Sequence, residues 1–148
     1  MKLSTRARYG TRALLELALH QAEEPVFLKD IAKSQQISLP YLEHLMAPLI
    51  AGGMIRSTKG PRGGVSLARA PEEIKLSEVI QILEGSVAPV ECVNDPRICK
   101  RSELCVTRDL WSELKKVMTG VLESTTLRDL VERHKKKTER PGTAMYHI

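Results

Sequence analysis

The chain has 148 residues, 42% of them hydrophobic, which is the size of one ordinary domain, or of a small domain with an appended oligomerisation element, able to bury a core without covalent staples. The N-terminal MKLSTRARYG carries charges where a secretory leader needs an apolar run, and no apolar stretch nears the ~18 residues of a membrane span, so the reading is a cytoplasmic protein with no membrane partner. The net charge of +5 is lopsided: residues 1–70 hold ten Lys/Arg against five Asp/Glu, whereas residues 71–148 hold thirteen of each. A basic excess confined to one half points to a polyanion, above all double-stranded DNA, because each neutralised phosphate releases condensed counterions; a merely solvated basic face is the plain alternative.

In chain order, Leu3, Ala7, Gly10, Ala13, Leu14, Leu17 and Ala18 recur at helical spacing behind Ser4, a natural N-cap, and predict a first helix over 5–20 that ends by the EEP at 23–25. LKDIAKSQQI predicts a short second helix with Leu28, Ile31 and Ala32 inward. SLPYLEHLMAPLIAGG predicts a third, capped by Ser38 and stopped at Gly52 and Gly53. Joined through a turn at Gln35 to Ser38, the last two make a helix-turn-helix. Leu39, Leu42, Leu45, Met46, Leu49 and Ile50 form the apolar arc of the third helix, opposite Pro40, Tyr41, His44 and Ala47, with Glu43 at the border. Pro48 removes a backbone hydrogen bond inside it and predicts a bend there.

Two β-prone runs, Met54 to Thr58 and Val65 to Ala68, then flank KGPRGG, a tight turn with Lys59 and Arg62 at its tip. A helix-turn-helix followed at once by a basic hairpin is a winged-helix arrangement, in which the third helix enters a major groove and the hairpin reaches phosphates or a minor groove. The expected DNA contacts are Arg6, Arg8, Arg12 and Lys29, then Ser38, Pro40, Tyr41, Glu43 and His44, and Lys59 and Arg62 on the wing. Beyond the wing, KLSEVIQILEG predicts a helix over about 76–84. After the cysteines a longer apolar stripe runs through Leu110, Trp111, Leu114, Val117, Met118, Val121 and Leu122, too long for its own small domain to cover, so a partner subunit is its expected cover. The fold class is mainly α with a small β-hairpin wing: a winged helix-turn-helix domain over 1–70, a connecting helix and linker over 71–90, a cysteine loop over 91–105, a dimerisation helix over 102–124, a C-terminal helix over 126–137 and a flexible tail over 138–148.

All three cysteines, Cys92, Cys99 and Cys105, lie in ECVNDPRICKRSELC. In a reducing compartment such a cluster reads as metal ligands or redox thiols rather than disulfides, and an odd count leaves one thiol over. Thiolates suit zinc or iron–sulfur clusters; the tight pairs usual for zinc are absent, and wider spacing suits a cluster, with a zinc site or a thiol switch as the alternatives. No nucleophile, base and oxyanion donor occur together, so neither an enzyme nor a small-molecule substrate is expected. A cytosolic thiol-redox or metal- and cluster-carrier protein, using its basic half on an acidic protein, is the competing function; a carrier has no use for cations on a glycine-pivoted hairpin.

MKLSTRARYG, ISLPYLEHL, KGPRGG, LSEVIQILEG and the three-cysteine loop followed by CVTRDLW and TTLRDLV occur in one order, over about residues 1–135, that resembles the iron-sulfur cluster regulator (IscR) family and its relatives, among them the nitric-oxide-sensing repressor NsrR. The resemblance implies a homodimeric bacterial winged-helix repressor of palindromic operators whose DNA binding is modulated by an iron–sulfur cluster on Cys92, Cys99 and Cys105. The IscR branch completes its site with a histidine three residues after the last cysteine, where this chain has Arg108, a guanidinium that stays protonated. NsrR-like proteins use an acidic residue early in the first helix, where this chain has Arg8. The fourth ligand is therefore open among Asp109, a carboxylate or histidine of the partner, and an external thiol or water. Nuclearity stays open between 2Fe-2S and 4Fe-4S, with 2Fe-2S preferred.

Overall fold

A computed structural model describes residues 2–20 and 24–140. In chain order it contains α1 (Thr5–His20), α2 (Leu28–Gln35), α3 (Leu39–Ala51), β1 (Ile55–Thr58), β2 (Gly64–Leu67), α4 (Leu76–Leu83), α5 (Val106–Glu123) and α6 (Leu127–Thr138), with short 3-10 turns at Pro71–Glu73, Glu91–Val93, Pro96–Ile98 and Ser102–Leu104. The amide of Ala7 donates to Ser4 Oγ at 3.1 Å, so Ser4 caps α1, and both its amide and its hydroxyl donate to the Glu84 carboxylate just after α4. The start of α1 is thereby pinned to the end of α4.

One core joins these elements. Leu14 and Leu17 of α1, Ile31 of α2, Leu42, Leu45 and Leu49 of α3, Ile55 and Val65 of the hairpin, and Val79 and Leu83 of α4 are buried together. Burial of such side chains, at about 1.5 to 3 kcal/mol each, is the main term holding short helices that would not persist alone. The wing is antiparallel, with Ile55 opposite Leu67 and Thr58 opposite Gly64. It is fastened to the body by a bridge in which Val26 and Val65 exchange amide–carbonyl hydrogen bonds at 2.8 Å. Gly64 makes this possible: its φ is +148°, and a side chain there would strike the Val26 carbonyl.

Several expectations need correction. Leu3 is exposed instead of joining the core, and Leu39 and Ile50 sit at the exposed edges of the α3 arc. The expected stop of α3 is in place: the helix runs through Pro48 to Ala51, and the Pro48 carbonyl accepts from Gly52 N at 2.9 Å. The long helix starts at Val106, not 102, because Ser102–Leu104 forms a separate 3-10 turn. Thr138, assigned above to the tail, is the last residue of α6. The remaining tail from 141 onward, like residue 23 of the expected first stop at 23–25, lies outside the described residues.

The helix expected over 126–137 is α6, and the structure gives it a place that the sequence reading did not assign. A capping box between Thr126 and Asp129 starts it, and Leu127 and Val131 are buried in the main core. Backbone hydrogen bonds at 2.9 Å from Leu76 N to Thr125 O and from Leu127 N to Ile74 O tie its entry to that of α4. The chain thus returns to the winged-helix domain after α5.

Candidate DNA-binding face and cysteine loop

The turn between α2 and α3 is built around two glutamines, Gln35 and Gln36. Gln36 takes the left-handed conformation, φ 55°, that closes α2, and Ser38 accepts from Tyr41 N at 3.4 Å to open α3. Gln35, at the end of α2, is gripped from α1 on both sides. Arg12 Nε donates to Gln35 Oε1 at 3.0 Å and a terminal Arg12 nitrogen donates to the Gln35 carbonyl at 2.7 Å, while Gln35 Nε2 donates to Glu16 Oε2 at 2.6 Å. Burial alone would raise the Glu16 carboxyl, but hydrogen bonds from Ser34, Gln35 and His20 outweigh it and hold that carboxyl below its ordinary value. Arg12, expected on phosphate, thus latches α1 to the end of α2.

This latch carries a pH dependence with a definite sign. A carboxyl whose folded pKa is depressed contributes stability above its unfolded pKa and loses it as pH falls through the folded value. Thermal melts between about pH 3 and pH 7 should show wild-type stability falling below about pH 4.3, the unperturbed Glu value, and a shallower fall for Glu16→Gln. Parallel acid limbs for the two proteins would remove Glu16 from the latch.

On α1, Arg8 and Arg12 share one face, with guanidinium carbons 5.8 and 5.3 Å from the centre of the Tyr9 ring, and Tyr9 meets Tyr41 of α3 edge-on at 6.1 Å. Arg6 falls on the opposite side of α1 and is not gathered with them. Tyr41 is half-buried against Tyr9 rather than freely projecting, whereas Pro40, Glu43 and His44 are exposed on α3, and Glu43 and His44 make no hydrogen bond or ion pair among the described residues. Lys29 lies over the Phe27 ring at 5.4 Å in the first turn of α2. Lys59 and Arg62 are exposed at the wing tip, where Gly63 fits because a side chain would strike the Thr58 carbonyl.

The cysteine loop packs against the first turns of α5. Cys92 and Cys105 are half-buried, Cys99 is exposed, and all three are free thiols. Arg108, at the position where the IscR branch has its histidine, donates from Nε to the Cys92 carbonyl at 2.9 Å. Two turns further along the same face, Lys115 Nζ donates to Asn94 Oδ1 at 2.8 Å, and Asn94 Nδ2 donates to Ser86 Oγ at 2.7 Å. Two cations on α5 thus hold the Cys92 end of the loop, ties that the residue spacing did not reveal. Cys105 occupies the N-cap of α5 with its sulfur 3.2 Å from Thr107 Oγ1. The Thr107 hydroxyl and the Arg108 amide hold its thiol below the ordinary value, against burial and the Asp109 charge, which act the other way.

Among the described residues no three His, Cys, Asp or Glu groups converge on one point, so Cys92, Cys99, Cys105 and Asp109 are not brought together as a finished metal site. The donor chemistry still fits a soft centre: three free thiols on one loop, one thiol already made more acidic, and a buried hydroxyl, Ser102 Oγ, with no partner.

The α5 stripe divides by face. Leu122 packs on the core of its own chain, while Leu110, Val117 and Val121 are 49%, 65% and 59% exposed, with Trp111, Leu114 and Met118 half-buried between. Val117, Met118 and Val121 also line a groove of about 450 Å³ together with the exposed Leu3 and with Val87 and Pro89. No helix among the described residues is long and apolar enough to cross a membrane.

A latched helix-turn-helix followed by a hairpin with cations at its tip defines the winged-helix class of DNA-binding proteins. Within that class the chain belongs to the Rrf2 family, whose model, described as an iron-dependent transcriptional regulator, matches residues 3–133. Protein rrf2 of Nitratidesulfovibrio vulgaris strain Hildenborough is 47% identical over 131 residues, 88% of this chain and 87% of that protein. The structure of IscR from T. potens superposes with a TM-score of 0.78 at 37% identity, over 99% of this chain and 97% of that one. CymR, the global cysteine regulator of B. subtilis, superposes with a TM-score of 0.76 at 37% identity, over 90% and 98% of the two chains. The likeness read from the motifs therefore holds at family level, and the chain is a DNA-binding transcriptional regulator, not an enzyme.

Proposed function

We propose that the chain acts in the cytoplasm as a homodimeric repressor whose affinity for a palindromic operator is set by an iron–sulfur cluster bound through Cys92, Cys99 and Cys105. The observation that carries this reading is the loop that bears the three free thiols: it leads into the helix with the uncovered apolar stripe, Cys105 is the N-cap of that helix, and the Cys92 carbonyl is tied to it through Arg108. Leu110, Leu114, Val117, Met118 and Val121 meet the same face of a second copy, and the two α3 helices are then spaced for successive major grooves. Glu43, His44 and the edge of Tyr41 face bases, Ser38 and Pro40 set the start of α3 against the backbone, and Arg8, Lys29, Lys59 and Arg62 take phosphates. When bound, the cluster supplies a redox-active and chemically labile centre that orders the loop. Arg108 and Cys105 pass that order to α5, and α5 fixes the distance between the two recognition helices. Asp109, one turn into α5, is the intrachain candidate for a fourth ligand, and 2Fe-2S is the preferred nuclearity.

The wing gives a direct measurement. Lys59→Ala or Arg62→Ala should weaken binding to all DNA sequences alike and lower the slope of log affinity against log salt by about one unit for each lost phosphate contact. An unchanged slope would remove the wing from the phosphate contacts.

One observation favours a second reading, a direct thiol switch: no three donor groups converge among the described residues. Anaerobic purification followed by an optical spectrum and by iron and sulfide analysis separates the two. Visible bands with matched iron and acid-labile sulfide support the cluster, whereas a colourless protein with neither supports the switch.

A further inference from the structure

Ser102 is 6% exposed, and its hydroxyl is the buried side-chain polar atom among the described residues that has no hydrogen-bond partner. The other buried polar residue named with it, Thr125, donates to the Val121 carbonyl at 2.8 Å. An orphaned buried hydroxyl is costly, so folded chains rarely keep one without a use. The backbone of Ser102 is satisfied, its amide donating to the Cys99 carbonyl at 3.2 Å, so it is the side chain alone that waits for an acceptor. Ser102 opens the 3-10 turn Ser102–Leu104 and stands three residues from both Cys99 and Cys105.

Resting on the cluster reading above, we propose that Ser102 is a positioning residue whose hydroxyl donates a hydrogen bond to a sulfur of the centre held by Cys92, Cys99 and Cys105. A thiolate or sulfide is an anionic acceptor, and hydrogen bonds to anions are the stronger kind. Hydrogen bonds to cluster sulfurs withdraw electron density and raise the reduction potential, and outer partners of this kind hold the centre in place. The orphan in the unloaded chain and the donor in the loaded one are the same hydrogen, so removing it has opposite effects on the two forms.

The test uses the full chain, reconstituted anaerobically with iron and sulfide, as wild type, Ser102→Ala and Ser102→Thr. Ser102→Ala should release its iron to a chelator about tenfold faster than wild type, the lower end of the usual effect of an outer partner, and should titrate at a lower potential. The same variant freed of iron should melt no lower than iron-free wild type, because the orphan is gone. Ser102→Thr, which keeps the hydroxyl, should return the potential toward wild type. A loaded Ser102→Ala with wild-type potential and release rate overturns this inference and leaves the cluster reading standing. Destabilisation of iron-free Ser102→Ala with an unmoved potential overturns it in favour of a packing role. Wild type that takes up no iron and sulfide overturns both.

Discussion

The double substitution Val117→Asp with Val121→Asp is expected to turn the proposed dimer into a monomer without unfolding it. Both side chains are more than half exposed on α5 and outside the single core, so the isolated chain loses little. Across a two-fold interface the change affects four valines, each contributing about 1 to 2 kcal/mol of further burial, so roughly 4 to 8 kcal/mol of association is lost before the cost of desolvating carboxylates is added. That corresponds to at least about a thousandfold in dimer affinity. Light scattering on the eluted protein should report half the mass with an unchanged circular dichroism spectrum, and operator binding should fall to that of a single half-site. A dimer that survives both aspartates would place the interface elsewhere.

The second large effect lies in the loop. Serine at Cys92, Cys99 or Cys105 replaces a soft thiolate with a hard, neutral hydroxyl, and each single change should abolish or strongly weaken the visible bands of the reconstituted protein while leaving its mass that of a dimer. The separation of the two properties follows from the fold, because the apolar stripe at Leu110, Val117 and Val121 does not include the loop. Cys92→Ser is the most informative of the three, since the Arg108 hydrogen bond is to its backbone carbonyl and survives the substitution. Retention of full iron and sulfide in any one serine variant would exclude that cysteine as a ligand.

These features were legible in the sequence to different degrees, for physical reasons. The bounds of α1, α2 and α3 follow from apolar spacing and local capping, and Ser4 and Ser38 act as the caps that the spacing implies. The hairpin follows from KGPRGG, whose turn chemistry leaves few alternatives. What stayed hidden depends on partners far apart in the chain. Gln35 is an ordinary polar residue until α1 places Arg12 and Glu16 on either side of it. Arg108 reads as a missing histidine until the fold shows it holding the Cys92 carbonyl. The place of α6 was half visible: TTLRDLV carries a capping box and a short apolar face, but the strand-like pairing of Lys75 with Thr126 that folds it back onto the core is a long-range backbone contact with no side-chain signature. The split of the α5 stripe is a matter of helix rotation, which packs Leu122 on its own core and leaves its neighbour Val121 exposed.

Coupling between the thiol loop and the DNA-binding face is the claim on which the rest depends, and its most direct measurement compares anaerobic iron- and sulfide-loaded wild type with the triple Cys92→Ser, Cys99→Ser, Cys105→Ser variant on the same palindromic site. In the proposed function, a loop ordered by its centre and tied to α5 through Arg108 would fix the spacing of the two α3 helices, and a released loop would not. The expected difference is about 1 to 3 kcal/mol, roughly 5- to 150-fold in affinity, in the range usual for coupling between distant sites. Identical affinities and identical footprints for the two proteins would contradict the account.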